Sequence, residues 1–400
     1  MRQTILARSI AVALLAAASG ASHAVSFTQN DVTLDINGTV NGYYVFREAE
    51  TTMRATGVTT KNTNSALSNG LLPGWINFVA TTRANDLDIK AHVSFAPGIN
   101  NNSQVIGLPI GNNAGGAGAT NPYSQIDTRN LYFQFCNTKC GTLKFGRDIG
   151  LFGQNIILSD MTLIGVGGTS NAGIPYNTTF GMIGHGYMYT GFQPQITYTT
   201  PNMNGFSASA GIFQPSKFAG DETKTPGFQA VASYDWKGAT PGKVWGGLVT
   251  QSTSCSSGNT CATKSFTANG QELGAKIGAG NFEAVGYLFR GDGLGLSTVG
   301  AQFLGGANAA GERVKSDGHF LQGTYKLGDT KLGLNFGQNK DKDGGLAGEI
   351  KNKAVTFGVY HALNKYITLV GEINQEKITD NNAGADTKNK SISLGGIIFF

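Results

Sequence analysis

Four histidines stand beyond the first 24 residues: His92, His185, His319 and His361. A hydrolase built on one of them needs a serine or acidic nucleophile within reach and a third group to orient the ring. The four lie far apart, on different alternating segments or loops, and no G-x-S-x-G turn accompanies them. Gly291-Asp292-Gly293 and Gly344-Gly345 precede no helical pattern, so neither fits a phosphate cradle. Asp341, Asp343 and Glu349 do not have the spacing of an EF-hand, and a solvated loop is the better reading. The cysteines form two close pairs, Cys136 with Cys140 and Cys255 with Cys261. In an exported chain each pair reads as a local disulfide, ahead of crossed connectivity or free thiols. Nothing gathers four ligands for zinc. No enzyme, cofactor or metal centre is expected.

A different chemistry remains, that of fixed charge along a wall. Lys90, Lys144, Lys276 and Lys326 share parity with the polar residues of the segments around them. One further stretch breaks the pattern. From Ile149 to Gly186 the chain is too long and too apolar for an ordinary exposed loop, with Leu151, Phe152, Ile156, Ile157, Leu158, Met161, Leu163 and Ile164 inside it. Connections of this length are usually functional. If the flanking segments close into a barrel, the surface open to it is the inner wall; the other reading is a small subdomain on the surface.

The elements that must position these groups are strands. Val32 to Phe46 alternates strictly: Leu34, Ile36, Val40, Tyr44 and Phe46 fall on one face, and Asp35, Asn37, Thr39 and Asn41 on the other. Two further alternating runs, from Ile76 and from Leu87, meet at Asn85-Asp86 as a hairpin with about ten residues per arm, the length of a tilted membrane strand. The hairpin recurs along the chain and gives sixteen strands, seven short turns and eight longer connections. Those near the C-terminal end are placed at Lys340 to Lys351 and Lys377 to Asn389, and the first at Arg47 to Pro73. Aromatic residues recur beside the short turns (Phe135, Tyr198, Phe206, Trp236, Tyr325, Tyr366), as in an interfacial girdle.

Composition agrees. Charged residues make up 14%, well below the roughly 25% of a soluble domain, yet no run after the leader approaches the roughly 20 apolar residues of a spanning helix. Arg2, Arg8, the apolar run from Ile10 to Ala18 and Ser22-His23-Ala24 read as a signal peptide over residues 1–24, leaving residues 25–400 as one barrel domain. The net charge of +5 is too small, and the 30 lysines and arginines too scattered, for nucleic-acid binding.

The ending SISLGGIIFF, with Ile392, Leu394, Ile398 and Phe400 on one parity, resembles the last strand of Gram-negative outer-membrane barrels, in which the terminal aromatic is read by the insertion machinery. The mature chain as a whole resembles the sixteen-stranded general porins. Around the third loop, Thr128-Arg129, Phe145-Gly146-Arg147 and Ser159-Asp160-Met161 are similar to the segments at which porins build their constriction. The resemblance implies an all-β, sixteen-stranded antiparallel transmembrane barrel with an inward-folded third loop. It implies a homotrimer in the outer membrane, among outer-membrane lipids and lipopolysaccharide, assembled by the outer-membrane machinery. Asp160 becomes the acidic side of the constriction, Arg129 and Arg147 (with Asp148 beside it) its basic side, and Phe400 the assembly signal. The chain departs from the pattern after Asp160: no second carboxylate follows in Thr162-Leu163-Ile164-Gly165, and Asn77, Gln193 and Gln195 stand where basic residues are often found. The function expected is passive diffusion of small hydrophilic solutes and ions through a water-filled channel narrowed by residues 149–186. The alternative is a substrate-specific channel, but Tyr43, Trp75, Tyr132 and Phe289 are too scattered in sequence to claim an aromatic ladder.

Overall fold

The computed structural model describes residues 24–99, 104–105, 108–109, 126–169, 178–215, 221–255, 265–294, 306–307 and 311–400. Sixteen antiparallel strands follow one another: β1 (Val32–Met53), β2 (Trp75–Ala84), β3 (Leu87–Pro97), β4 (Leu131–Cys136), β5 (Thr142–Ile149), β6 (Phe192–Thr199), β7 (Phe206–Phe213) and β8 (Gly227–Trp236), then β9 (Gly242–Cys255), β10 (Phe266–Ala279), β11 (Phe282–Asp292), β12 (Val314–Leu327), β13 (Thr330–Asp343), β14 (Ile350–Ala362), β15 (Ile367–Asp380) and β16 (Ala385–Phe399). Each pairs with the next, and β16 returns to β1 in register from Thr39↔Phe399 to Met53↔Ala385. Closure leaves no edge, as an all-strand span in lipid requires.

Alternation sets which residues face where. On β10 the even positions Phe266, Ala268, Gly270, Glu272 and Gly274 are buried, while the odd positions between them are exposed. The exposed faces carry Leu273, Leu288, Leu321, Leu334, Phe357, Ile373, Ile392 and Leu394. An apolar belt of this extent is unfavourable in water and matched to hydrocarbon. Tyr198, Phe206, Tyr325 and Tyr366 are exposed beside the short turns, as the girdle requires. At the first of these turns Asn85 and Asp86 both take positive φ, 48° and 63°, the backbone of a type I′ hairpin.

Several strands run further than the alternation of apolar residues indicates. β1 continues to Met53, where a strand from Thr59 to Ser68 folds back onto it, and the last two connections shorten to 344–349 and 381–384. Above the apolar belt both faces of a strand meet water, so Lys and Glu replace Leu and Ile and the period-two signal fades. Wall height is uneven. β4 has six residues and β5, β6 and β7 have eight each, against 14 on β12, β13 and β15 and 15 on β16. Cys136 and Cys140 form the expected disulfide across the β4–β5 turn, with Cα atoms 5.9 Å apart. The pairing of Cys255 with Cys261 lies outside the described residues, as do residues 1–23.

At the N-terminal end, a strand from Val25 to Gln29 pairs with β1 from Ile36 to Val32, on the flank that β16 has just left.

Candidate functional site

The connection 150–191 between β5 and β6 has its own local structure. Gly153, at φ 75°, opens a one-turn helix α1 (Gln154–Ile157), and a 3₁₀ turn follows over Met161–Ile164. Phe152, Ile156, Ile157, Met182 and Tyr187 join one buried cluster with inward side chains of the wall, including Trp245, Val249, Tyr287, Phe289 and Phe320. Met161, Ile164 and Val166 join a second cluster with Tyr43, Val45, Tyr360 and Val370. Removing side chains of this size from water supplies about 1.5–3 kcal/mol each. That burial is what lets an apolar segment sit among polar strand faces.

Polar groups of the wall then take up the backbone that the loop leaves unpaired. Gln229 Oε1 accepts from Leu151 N at 2.8 Å, Glu272 Oε2 from Gly153 N at 2.9 Å and Gln322 Oε1 from Met161 N at 2.7 Å. Glu372 Oε2 accepts from Val166 N and Gly167 N at 2.8 and 2.7 Å, and Glu376 Oε2 accepts from Thr169 N at 3.0 Å. Asn339 Oδ1 accepts from Gly186 N at 2.7 Å, and Tyr43 donates to Ile164 O at 2.7 Å. The anchors come from β8, β10, β12, β13, β15 and β1, and all lie on the buried parity of their strands. Contact is close enough to exclude side chains. A Cβ on Gly337 would overlap the carbonyl oxygen of His185, and one on Gly165 would overlap the Glu372 carboxylate.

Asp160 caps the 3₁₀ turn. Its Oδ1 accepts from Thr162 N at 2.9 Å and from Asn335 Nδ2 at 3.4 Å, while Oδ2 accepts from Tyr187 Oη at 2.7 Å. The residue is only 3% exposed. It therefore lies behind the loop rather than on its free surface. Burial pushes its carboxyl above the usual carboxylate range, against the lowering effect of the bonds from Tyr187 and Thr162. Burial also raises the Tyr187 hydroxyl well above its ordinary value and lowers the His185 ring, whose Nε2 lies 3.3 Å from a Glu376 oxygen.

Lys90, Lys144 and Arg147 stand on the remaining arc, β3 to β5, with Arg129 just ahead of β4. Lys90 and Lys144 lie over the ring of Tyr132, 5.5 and 4.8 Å from its centroid, both within the reach of a cation–π contact. Asp148 pairs with Lys144 and accepts from Asn130 Nδ2 at 2.7 Å. Lys90 is 7% exposed, and the Lys144 side chain 23%. Arg129 sits 5.4 Å from the Trp75 ring and 5.5 Å from that of Phe192, with Asp127 3.3 Å from its Nε. Arg147 shares the parity of Leu143 and Phe145, opposite Leu131 and Pro194, and its Nε donates to Thr128 O at 3.1 Å. Lys276 pairs with Glu283 at 2.8 Å, and Lys326 is exposed near the β12–β13 turn. The structure thus brings Lys90, Lys144 and Asp148 together. It sets Arg129 beside Asp127 and Arg147 beside Thr128, and it places Lys276 and Lys326 elsewhere on the wall.

Of the histidines, His92 is buried between Asn77 and Tyr132, His185 lies against Glu376, His319 lies near Phe336, and His361 lies 2.9 Å from Thr330. Sequence reasoning missed the wall anchors Gln229, Glu272, Gln322, Glu372 and Glu376. Their one legible signal is a carboxylate or amide on the inward parity of an otherwise well-patterned strand.

A family model described as Gram-negative porin matches residues 11–382, whereas no curated protein matches the sequence. Among solved structures, the chain is similar to an anion-selective porin from Comamonas acidovorans, at 17% identity and TM-score 0.58, covering 92% of this chain and 100% of that one. It is also similar to the outer-membrane channel DcaP of Acinetobacter baumannii, at 14% identity and TM-score 0.63, covering 94% and 100%. A trimer form of the outer-membrane protein OmpT of Vibrio cholerae aligns at 13% identity and TM-score 0.55, covering 93% and 100%. At these identities the likeness is one of fold.

Proposed function

The chain belongs to the Gram-negative porin family, and from that premise we propose that the connection 150–191 sets the bore of its channel and that the arc β3–β5 sets its charge preference. The protein is an outer-membrane channel for passive diffusion of small solutes. The observation that carries the proposal is the set of anchors on β8, β10, β12, β13, β15 and β1. They fasten the segment to that arc of the wall, and the path proposed for solutes runs along the opposite arc, which carries Lys90 and Lys144.

A pore selects by width and by the charge at its narrowest part. On this path Lys90, Lys144 and Arg129 form the basic side. Arg147, on the outward parity, positions the Thr128–Arg129 segment through its bond to the Thr128 carbonyl. Asp160 supplies a negative charge from behind the loop, and Asp148 tempers Lys144. Lys276 and Lys326 wet the bore further from the constriction, where their fields are screened over roughly 8–10 Å at physiological salt. Phe400 serves the assembly machinery. This is a conduit and not an enzyme, a reading supported by the separation of the four histidines.

A homotrimer fits the low side of the wall. Strands of six and eight residues fall short of the roughly 9–11 needed to cross the hydrocarbon, and their outer face carries Phe133 stacked on Phe145 at 5.1 Å. Both features suit cover by a second copy.

Planar-bilayer recording tests the reading. Conductance should rise linearly with salt, and Lys90→Gln with Lys144→Gln should move the reversal potential in a salt gradient toward cations. Saturable block by a single sugar, phosphate or amino acid would replace diffusion by specific transport.

A further inference from the structure

Beside β1 the ladder is interrupted, and the chain uses the interruption to send a second segment into the lumen. Ser68 stands opposite Tyr43, and Trp75 opposite Thr39, on the same flank of β1. Three residues separate Thr39 from Tyr43, so an unbroken ladder needs three between Ser68 and Trp75; the chain supplies six, residues 69–74. The surplus turns inward. Asn41, on the inward parity of β1 and only 3% exposed, takes it up with its side chain. Its Nδ2 donates to Leu72 O and Pro73 O, each at 3.0 Å, and its Oδ1 accepts from Asn69 Nδ2 at 3.2 Å and Gly70 N at 3.1 Å. These bonds pair backbone groups that the ladder has given up.

The segment 69–74 joins the inserted loop to the end of β3. On the loop side, Leu71 N donates to Gly165 O at 2.9 Å and Thr179 N to Gly70 O at 3.0 Å. Leu71 enters the same buried cluster as Phe152, Met182 and Tyr187, and Leu72 packs on the cluster of Met161, Ile164 and Val166. A Cβ on Gly70 would overlap the Gly165 carbonyl oxygen, so the two backbones meet with no side chain between them. On the β3 side, Gly74 N donates to Pro97 O and Ile99 N to Asn69 Oδ1, both at 2.8 Å. Trp75 then resumes the ladder and meets Arg129 of the basic side.

Resting on the reading that the connection 150–191 sets the bore, we propose that residues 69–74 are a second inward element of the constriction. They act as a spacer that fixes the gap between the inserted loop and the end of β3, and so limit the size of uncharged solutes. Asn41 is the positioning residue of this spacer. Neutral solutes give Lys90, Lys144 and Arg129 no charge to act on, so width decides their passage. The segment Asn69-Gly70-Leu71-Leu72-Pro73-Gly74 carries no ionisable side chain, which suits a part in size rather than in charge. It is fastened to β1 and to the end of β3, whereas most anchors of the loop lie on β8 to β15. The two sides of the gap are thus held by different parts of the wall.

The test is polymer exclusion in planar bilayers, with neutral polyethylene glycols of graded length added to the full-length channel. The longest polymer that still lowers the single-channel current marks the size limit. Replacing residues 69–74 by Val-Thr-Val supplies the three residues of an unbroken ladder, with both valines on the lipid-facing parity. That variant should shift the limit to longer polymers and raise conductance, while the reversal potential in a salt gradient keeps its sign. Asn41→Leu, which keeps the chain length and removes four bonds, should shift the limit the same way and carries the test if the shortened wall does not assemble. A lower melting temperature with the limit unmoved in Asn41→Leu would reduce Asn41 to a structural part and overturn the proposal. Gly337→Ala, which displaces the loop from β13, separates the two readings. A limit that moves with Gly337→Ala but with neither spacer variant would leave the loop as the bore and overturn the spacer. A limit that moves with the spacer variants alone would support the spacer and strike instead at the loop.

Discussion

Tyr187 donates its hydroxyl to Asp160 across 2.7 Å, joining two points of the inserted loop that lie 27 residues apart. The bond is buried, so removing the donor leaves a carboxylate oxygen with one partner fewer. Tyr187→Phe should weaken the loop's hold by about 1–3 kcal/mol. Open-channel current noise should rise while the barrel's melting stays near that of wild type; noise unchanged from wild type would mean that the bond holds nothing.

Asp160→Asn removes a negative charge from between the inserted loop and the β13 wall while keeping the shape. The reversal potential should move toward anions, and an unchanged potential would remove Asp160 from the selectivity set. Acid should do the same to wild type. Burial raises this carboxyl above its ordinary value, so it takes up its proton at a higher pH than an exposed aspartate. The sign for stability follows: the folded state binds the proton more tightly, so this group favours folding at low pH and loses that contribution as pH rises from the ordinary carboxylate value through the raised one. Subtracting the pH profile of Asp160→Asn from that of wild type isolates the effect.

Gly337→Ala should push the loop off the β13 wall. The new methyl would overlap the carbonyl oxygen of His185, a backbone atom that cannot swing aside, and overpacking of this kind costs about 1–3 kcal/mol. Conductance should change while strand content by circular dichroism stays constant; a conductance equal to wild type would show that residues 185–186 can move without touching the bore.

Cys136→Ser/Cys140→Ser opens a very short cross-link. Chain-entropy arguments give such a small loop about 2 kcal/mol. Thermal unfolding should shift down modestly, and conductance should not change, because the turn lies at the short-turn rim, at the opposite end of β5 from the inserted loop. A changed conductance would place that rim in the path of solutes.

How much of this was legible in the sequence follows from how each feature is encoded. The strands and their order were readable because alternation is local: Leu273, Ala275 and Ile277 announce a lipid-facing side without any knowledge of their partners. Strand ends above the belt carry no such contrast. In β1 the extension beyond Phe46 is written in Arg47, Glu48 and Glu50, residue types that a loop uses just as readily. The side chains that fasten the inserted segment were hidden for a different reason. Glu372 meets Val166 across 206 residues of chain, a separation at which no spacing rule operates. The placement of Asp160 behind the loop depended on the fold of its own neighbours: only the 3₁₀ turn aims its carboxylate at Thr162, Tyr187 and Asn335.

The seam of the cylinder has one more implication. Phe400 exchanges backbone bonds with Gly38, and Val25 lies opposite Ile36, two positions further along the same flank of β1 and running in the same direction. Two residues of strand span roughly 7 Å, so a linker of one or two residues could splice Phe400 to Val25 without disturbing any rung of the ladder. Circular permutants opened in the 381–384 connection should then refold in detergent with the same rim and bore while losing the terminal aromatic that the assembly machinery reads, so that closure of the cylinder and its delivery to the membrane come apart.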